Sequence, residues 1–257
     1  MIWYLQAAFW QLLLPTVVGA TTVMTMRTAT DIYMGADSKV ASMRLDGSVS
    51  YGRQCKIGQI GKIFFAAAGA YGRKPMPSED PNSRLDIRSS LIKAQALGGT
   101  MHQIIARFSD VYADEILRTL EIVRRSSPKQ YEKATTSPVY VYFVGFEGDT
   151  PVSLGRTFAP RKSDAAVTTI RITEYDCPPN CAEPHVVGVG YGNIIKDFSP
   201  DVLKTRSPTD VIREIVELSI KEDPEQKSGM PVDILHLTKH GASWIQKKKE
   251  CPEIKPY

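Results

Sequence analysis

The stretch that decides the fold is Thr-Thr-Val-Met-Thr-Met-Arg-Thr-Ala-Thr-Asp-Ile-Tyr-Met-Gly-Ala-Asp-Ser-Lys, residues 21–39. Two apolar or β-branched runs, 22–26 and 31–36, are separated by the more polar residues 27–30, and this pattern predicts two short strands. Asp37 directly follows the second run. A charged side chain at the end of an apolar strand is costly to bury unless it has a partner. Asp37 therefore stands out as a residue that needs one.

The remainder of the chain predicts strands, then helices, then strands again. Two helical stretches are expected between residues 101 and 123. A last helix is expected from Ser207, with Pro208 in the first turn and Asp210 as a capping carboxylate. The other predicted strands are a hairpin over 38–51 that turns at Asp46-Gly47, two strands within 57–68, and strands at 139–146, 167–172, 186–189 and 232–237. Segregated helices and hairpin strands imply a layered α+β domain rather than a doubly wound sheet.

Composition narrows the class of protein. The 257 residues are 42% hydrophobic and 23% charged, as in an average soluble domain with material for one sizeable core. A net charge of +4 is too small to indicate a nucleic-acid-binding protein. The basic end of the chain, residues 247–257 with Lys247-Lys248-Lys249, is predicted to be a solvated tail. The glycines of 188–192 lack the spacing of a phosphate-binding loop, so neither a nucleotide nor a nucleic acid is expected.

The first twenty residues differ from the rest because they contain no charged side chain. They are rich in aromatic residues and leucine, are broken by Pro15, and end in Val18-Gly19-Ala20, the small-residue pattern of a signal peptidase site. Cleavage is predicted between Ala20 and Thr21, with removal of residues 1–20 and a secreted or periplasmic product. The alternatives are a propeptide removed by the protein itself and an uncleaved segment that anchors the protein to a membrane.

Four cysteines, an even number, suit an oxidising compartment. Cys177 and Cys181 lie in a turn-rich stretch where a short local disulfide could close, which leaves Cys55 and Cys251 as a second pair. A metal site is the first alternative, although His185 is the one histidine near Cys181. Free thiols are the second alternative.

Several short motifs occur in a characteristic order: Thr21-Thr22-Val23, Gly35-Ala36-Asp37-Ser38-Lys39, Lys56, Ala67-Ala68-Gly69 and Ser228-Gly229. Together they resemble the proteasome β-subunit family of N-terminal-nucleophile hydrolases, including its bacterial relatives. The resemblance extends from Thr21 to about Gln246, which sets the expected domain at 21–246. It implies a four-layer αββα sandwich with the nucleophile at the end of a strand between the sheets.

The resemblance implies that Thr21 is the nucleophile. A threonine hydroxyl needs an adjacent base, and at a free N-terminus the residue's own α-amine supplies it. This amine has an ordinary pKa of about 7.7–8.0 and is thus partly neutral near pH 7. An amide nitrogen is no base, so the bond from Ala20 to Thr21 must be cut before the chemistry can begin.

The resemblance also implies roles for the residues around Thr21. Asp37 would orient Lys56, and Lys56 would lower the pKa of the amine by placing a cation beside it. The backbone N–H of Gly69 would stabilise the oxyanion. The family's step from aspartate to lysine is shorter than the step from Asp37 to Lys56, so Arg53 and Lys39 compete for the place of Lys56.

Two supporting positions depart from the family pattern. Ser228 is similar to the serine that supports the amine, but Glu225 stands three residues earlier, where the family has aspartate. Val189 stands where the family has the serine of a Gly-Ser-Gly turn. The departures leave a second function open, a non-catalytic structural or binding subunit.

For the catalytic function, a peptide or another amide is the expected substrate. No cofactor and no metal are expected. The protein would be either a monomer or a self-assembled homo-oligomer, because export would separate it from cytosolic ring partners.

Overall fold

A computed structural model describes residues 16–17, 22–43, 49–69, 72–73, 85–164, 166–179, 181, 183–190, 198, 200–224, 226 and 228–256. The strands are β1 Thr16–Val17, β2 Val23–Arg27, β3 Ile32–Asp37, β4 Lys39–Met43, β5 Val49–Arg53, β6 Ile57–Ile60, β7 Ile63–Ala68, β8 Gly72–Arg73, β9 Leu85–Asp86, β10 Val139–Glu147, β11 Thr150–Ser163, β12 Ala166–Cys177, β13 His185–Val189, β14 Val232–Thr238 and β15 Gly241–Gln246. The helices are α1 Ile87–Gln95, α2 Met101–Ser126, α3 Pro128–Thr136, α4 Pro200–Thr205 and α5 Pro208–Glu222.

Two five-stranded antiparallel sheets dominate the described part of the chain. The first sheet has the order β12-β11-β10-β7-β6, and the second has the order β13-β2-β3-β14-β15. Smaller sheets join β1-β4-β5 and β8-β9. Antiparallel sheets with helices in separate runs confirm the predicted α+β class. The predicted hairpin is confirmed where β4 pairs with β5 from Lys39↔Arg53 to Met43↔Val49, and its turn, 44–48, lies outside the described residues.

Alternation along the central strands explains why their sequences are apolar throughout. In β7, Ile63 and Phe65 belong to a cluster with the helices α1 and α2, whereas Phe64 and Ala66 belong to a cluster shared with the second sheet. Successive side chains of a strand point to opposite faces, so the first sheet is buried on both faces along β7. The second sheet is likewise covered, with α5 on its far face, packed against Met24, Met26 and Ile234.

The helices differ from the sequence prediction in three ways. The two predicted stretches form one helix, α2, whose start is fixed by a capping box between Thr100 and Gln103. The helices α1 and α3 were not predicted because their apolar stripes are short. Ser207 does occupy the N-cap position of α5, but its side chain makes no capping bond. Asp210 pairs with Arg213 instead of capping the helix. No described helix is long and apolar enough to cross a membrane.

The predicted solvated tail is wrong in one important respect, because Lys248 is buried. The C-terminal segment lies against the domain. Trp244 donates its indole N–H to the carbonyl of Pro252 over 3.1 Å, and the backbone N–H of Lys255 donates to the side chain of Gln59 over 2.9 Å. The lysine run is therefore part of a segment that is held against the domain and does not form a free end.

Both disulfides form in the predicted pairing. Cys55 is bonded to Cys251 across 196 residues, and Cys177 is bonded to Cys181 across four. The long-range bond ties the C-terminal segment to the residue immediately before Lys56. An oxidising compartment agrees with both bonds.

Removing the long-range disulfide is expected to be much more costly than removing the local one. The double variant Cys55→Ala/Cys251→Ala should lose about 2–4 kcal/mol of unfolding free energy, because its closed loop is far longer and restricts the unfolded chain more. Chemical denaturation measures the loss, with Cys177→Ala/Cys181→Ala as the matched control. Equal losses in the two double variants would contradict this expectation.

Candidate active site

Asp37 is the centre of a buried polar network. Asp37 is the last residue of β3, and its side chain is completely buried. One carboxylate oxygen accepts from the backbone N–H of Thr22 at 2.8 Å and from the ammonium of Lys56 at 2.6 Å. The other accepts from the backbone N–H groups of Gly229 at 2.9 Å and Lys39 at 3.1 Å. One side chain thus joins its own segment, 37–39, to three others.

Strand pairing explains how these segments meet. The pair β2–β3 is in register at Val23↔Ala36, so Thr22 lies opposite Asp37, whose backbone N–H donates to the carbonyl of Thr22. On its other side β3 pairs with β14, where Val232 lies opposite Asp37. The segment just before β14 therefore reaches the same end of the sheet, and Gly229 accepts there from the backbone of Ser38.

Lys56 reaches Asp37 from the first sheet. It directly precedes β6, and neither side chain of the pair is exposed to solvent. Burial disfavours the ammonium and lowers the pKa of Lys56 to about 8, although the charge and hydrogen bond of Asp37 act in the opposite direction. A buried lysine with a pKa near neutrality is a feature of functional sites.

The two competitors of Lys56 lie elsewhere. The ammonium of Lys39 donates to the carbonyl of Gln226 and stands 4.6 Å from the ring centroid of Tyr51. Arg53 is exposed at the end of β5. Both residues line a surface cavity with Tyr51 and Met230. Of the three candidates, Lys56 is the one whose cation contacts Asp37.

Ser228 precedes Gly229 and is buried. Its backbone N–H donates to the carboxylate of Asp223 at 2.6 Å, while its hydroxyl has no hydrogen-bond partner among the described residues. Glu225, the expected supporting acid, lies outside the described residues. Sequence reasoning missed Asp223 because it stands five residues before Ser228, whereas the family spacing is three. Its position directly after α5 and before Pro224 was the available signal.

Gly69 follows β7 in a conformation that other residues rarely adopt, with φ +94°. A side chain at this position would also overlap the carbonyl oxygen of Pro138. Ile57 pairs with Ala66, so Gly69 and Lys56 lie at the same end of the neighbouring strands β7 and β6. Gly69 therefore lies at the same end of the first sheet as Lys56, although none of its described contacts is with Asp37 or Lys56.

Thr22 contributes a second contact that the sequence did not suggest. Its hydroxyl lies 2.8 Å from the hydroxyl of Ser219 in α5, and both residues are completely buried. Val189 is paired with Val23 in β13 and brings no hydroxyl to this region. Ser219 was missed because it occupies a helix position with no motif. Ala20 and Thr21 lie outside the described residues.

A group of potential metal ligands lies near Lys56, but it does not suit a metal. Cys55, Asp233 and Cys251 have ligand atoms within 4.8 Å of one another. The two sulfurs are bonded together as a disulfide. The group therefore offers one carboxylate, and metal sites in proteins need several donors. Asp233 instead pairs with Lys248 over 2.9 Å, and both side chains are buried.

Comparison with known proteins adds no identification. No protein-family model matches this chain, and no curated protein is similar to it at a significant level.

Proposed function

We propose that the protein is a threonine-type amidohydrolase that acts as a peptidase, in which Thr21 is the nucleophile and its freed α-amine is the base. The observation that carries the proposal is the contact network of Asp37. This carboxylate holds the backbone nitrogen of Thr22 and the ammonium of Lys56 on the same oxygen. Thr21 is joined to that nitrogen by a peptide bond, so the network acts on the residue directly after the predicted cleavage point.

The layering of the described elements supports the finer fold that the resemblance implies. One apolar cluster lies between the helices α1–α3 and the first sheet, a second lies between the two sheets, and a third lies between the second sheet and α5. This order of layers supports our proposal of a four-layer αββα sandwich of the N-terminal-nucleophile hydrolase type. The site lies where β2, β3 and β6 converge at the edge of the middle cluster.

The proposed reaction begins after the bond between Ala20 and Thr21 is cut. The hydroxyl proton of Thr21 passes to its α-amine while the hydroxyl oxygen attacks the substrate carbonyl carbon. Negative charge on the carbonyl oxygen is stabilised by the N–H of Gly69. The carbon–nitrogen bond then breaks, the leaving amine takes the proton, and an ester on Thr21 remains. Water hydrolyses the ester with the α-amine again acting as the base.

The buried groups have separate roles in this scheme. Lys56 places a positive charge close to the N-terminus, which favours the neutral form of the amine. Asp37 holds Lys56 and the backbone of residue 22 in fixed positions. The hydroxyl of Ser228, unpaired among the described residues, would accept a hydrogen bond from the amine, and Asp223 orients Ser228 through its backbone.

The remaining features of the proposal follow from the sequence. The substrate is a peptide or a related amide, and the enzyme requires no cofactor, metal or nucleic acid. Residues 1–20 direct export and are removed, so the hydrolase domain, 21–246, operates in a secreted or periplasmic setting. Both disulfides are consistent with such a compartment. The protein works as a monomer or a homo-oligomer.

The experiment that tests this function compares two purified chains that differ by one residue. One chain begins at Thr21, and the other begins at Ala20. We expect the first to hydrolyse members of a fluorogenic peptide-amide library and the second to be inactive, because its residue 21 has no free amine. Equal activity of the two chains would contradict the proposal, since the amine would then have no role.

Activity is expected to rise with pH and to level off above about pH 8. The free-enzyme profile of kcat/KM reports the groups that must lose a proton. In this mechanism the group that must lose a proton is the α-amine of Thr21, whose ordinary pKa is about 7.7–8.0, whereas Lys56 acts as the cation beside it. Below this range kcat/KM should fall by about tenfold per pH unit. A profile that is flat from pH 5 to 9, with the fold intact by circular dichroism, would contradict the assignment of the base.

A further inference from the structure

A second buried ion pair lies next to the proposed site. The ammonium of Lys248 is 2.9 Å from the carboxylate of Asp233, and their side chains are 3% and 0% exposed. The backbone N–H of Lys248 also donates to Asp233, over 2.9 Å. Asp233 stands on β14 opposite Ala36, the residue before Asp37. Burying two more charges at this end of the strands is costly, and the proposed reaction gives these two charges no role.

The contacts of Lys248 lead directly to Lys56. Its ammonium donates to the carbonyl of Gln54, two residues before Lys56. The backbone N–H of Gln54 donates to the carbonyl of Ser38 at 3.0 Å, and Cys55 is bonded to Cys251. The segment 54–56 has no regular secondary structure and precedes β6. It is therefore held from three sides at the point where it delivers Lys56 to Asp37.

We propose that Lys248 is a positioning residue for Lys56: paired with Asp233, it fixes the segment 54–56 and adds a second cation to the environment of the Lys56 ammonium. This inference rests on the proposed function, because it gives Lys248 a part in the same hydrolysis. The C-terminal segment would then help to position the proposed catalytic lysine and would not be a free tail.

The electrostatics of the site agree with this role. Among the described residues, the charged groups that act on Lys56 include Asp37, Asp233 and Lys248. Lys248 lowers the pKa of Lys56 by repulsion, and the two carboxylates raise it. Removing the Lys248 cation therefore shifts the balance toward the carboxylates and stabilises the protonated form of Lys56.

The test measures the titration of Lys56 directly, by NMR of a chain that begins at Thr21 and carries ¹³C-labelled lysines. In Lys248→Met the pKa of Lys56 should rise by on the order of one unit. Lys248→Gln should give the same rise, and its amide can still donate to Asp233, so either variant that folds is informative. The control is Lys249→Met, which removes a neighbouring exposed lysine and should leave the pKa unchanged. Lys248→Arg keeps the cation and should keep the pKa of Lys56 near that of the parent chain.

Activity provides the second measurement. The acidic limb of the kcat/KM profile should move to lower pH in Lys248→Met and Lys248→Gln, because Lys56 then keeps its charge over a wider pH range and favours the neutral α-amine. The limb should return toward the parent position in Lys248→Arg. A purely structural role would lower stability without moving the titration of Lys56, and that result would overturn the inference. If the parent chain has no hydrolytic activity, the proposed function fails, whereas the NMR titration still decides whether Lys248 acts on Lys56.

Discussion

Thr21→Ala is expected to lower kcat/KM for amide hydrolysis by at least about 10⁴-fold, because it removes the atom that attacks the substrate. The variant keeps the free α-amine, the buried pair Asp37–Lys56 and the oxyanion donor. Any residual rate would therefore come from binding and oxyanion stabilisation alone. The measurement uses chains that begin at residue 21, with the peptide-amide library described above.

Two further chains make this comparison specific. Thr21→Ser keeps a hydroxyl and should retain measurable activity. Thr30→Ala removes an exposed threonine hydroxyl in the β2–β3 turn and should retain the parent rate. Activity that survives in Thr21→Ala at the parent level would exclude Thr21 as the nucleophile. A parent chain with no activity on any amide would favour the non-catalytic alternative that Val189 and Glu225 leave open.

Lys56→Met is expected to lower the free energy of unfolding by about 3–5 kcal/mol and to abolish hydrolysis. The substitution leaves Asp37 buried with no cation beside it, and removing one partner of a buried pair costs far more than removing an exposed pair. Chemical denaturation of the two chains gives the difference directly. The carboxylate keeps its three backbone donors, so some of its hydrogen-bonding capacity remains satisfied.

An exposed ion pair provides the control. Arg124 and Glu121 pair on the surface of α2, with both side chains at least 40% exposed. Arg124→Met should therefore cost less than about 1 kcal/mol. A loss of that small size in Lys56→Met would show that Asp37 does not depend on the lysine, and the central pair of the proposed site would then lose its significance.

Much of the fold was predictable because its strands and helices have clear periodicities. The apolar runs of β2, β3 and β10 were identified from sequence, as was the hairpin β4–β5 from Asp46-Gly47. The short amphipathic helices α1 and α3 were not, because nine residues carry few apolar positions. The disulfide pairing followed from the closeness of Cys177 and Cys181 in the sequence.

The site residues were predictable only where the residue type itself indicated a need for a partner. A carboxylate at the end of an apolar strand needs a partner when it is buried, and the family resemblance pointed to the same residue, Asp37. Which cation approaches it depends on how the first sheet packs on the second, so the sequence left Arg53 and Lys39 as competitors of Lys56. Asp223 and Lys248 were missed because their contacts depend on a helix end and a C-terminal segment whose positions are set by tertiary packing.

The identity of the mature N-terminus bears most directly on the proposed mechanism. The full chain, expressed with residues 1–20 in a host that exports proteins, can be purified and its N-terminus determined by sequencing and intact mass. We predict that the mature chain begins at Thr21, with the α-amine unmodified. A mature chain that begins at Met1, or at any residue other than Thr21, would contradict the mechanism, because Thr21 would then lack the base on which its reactivity depends.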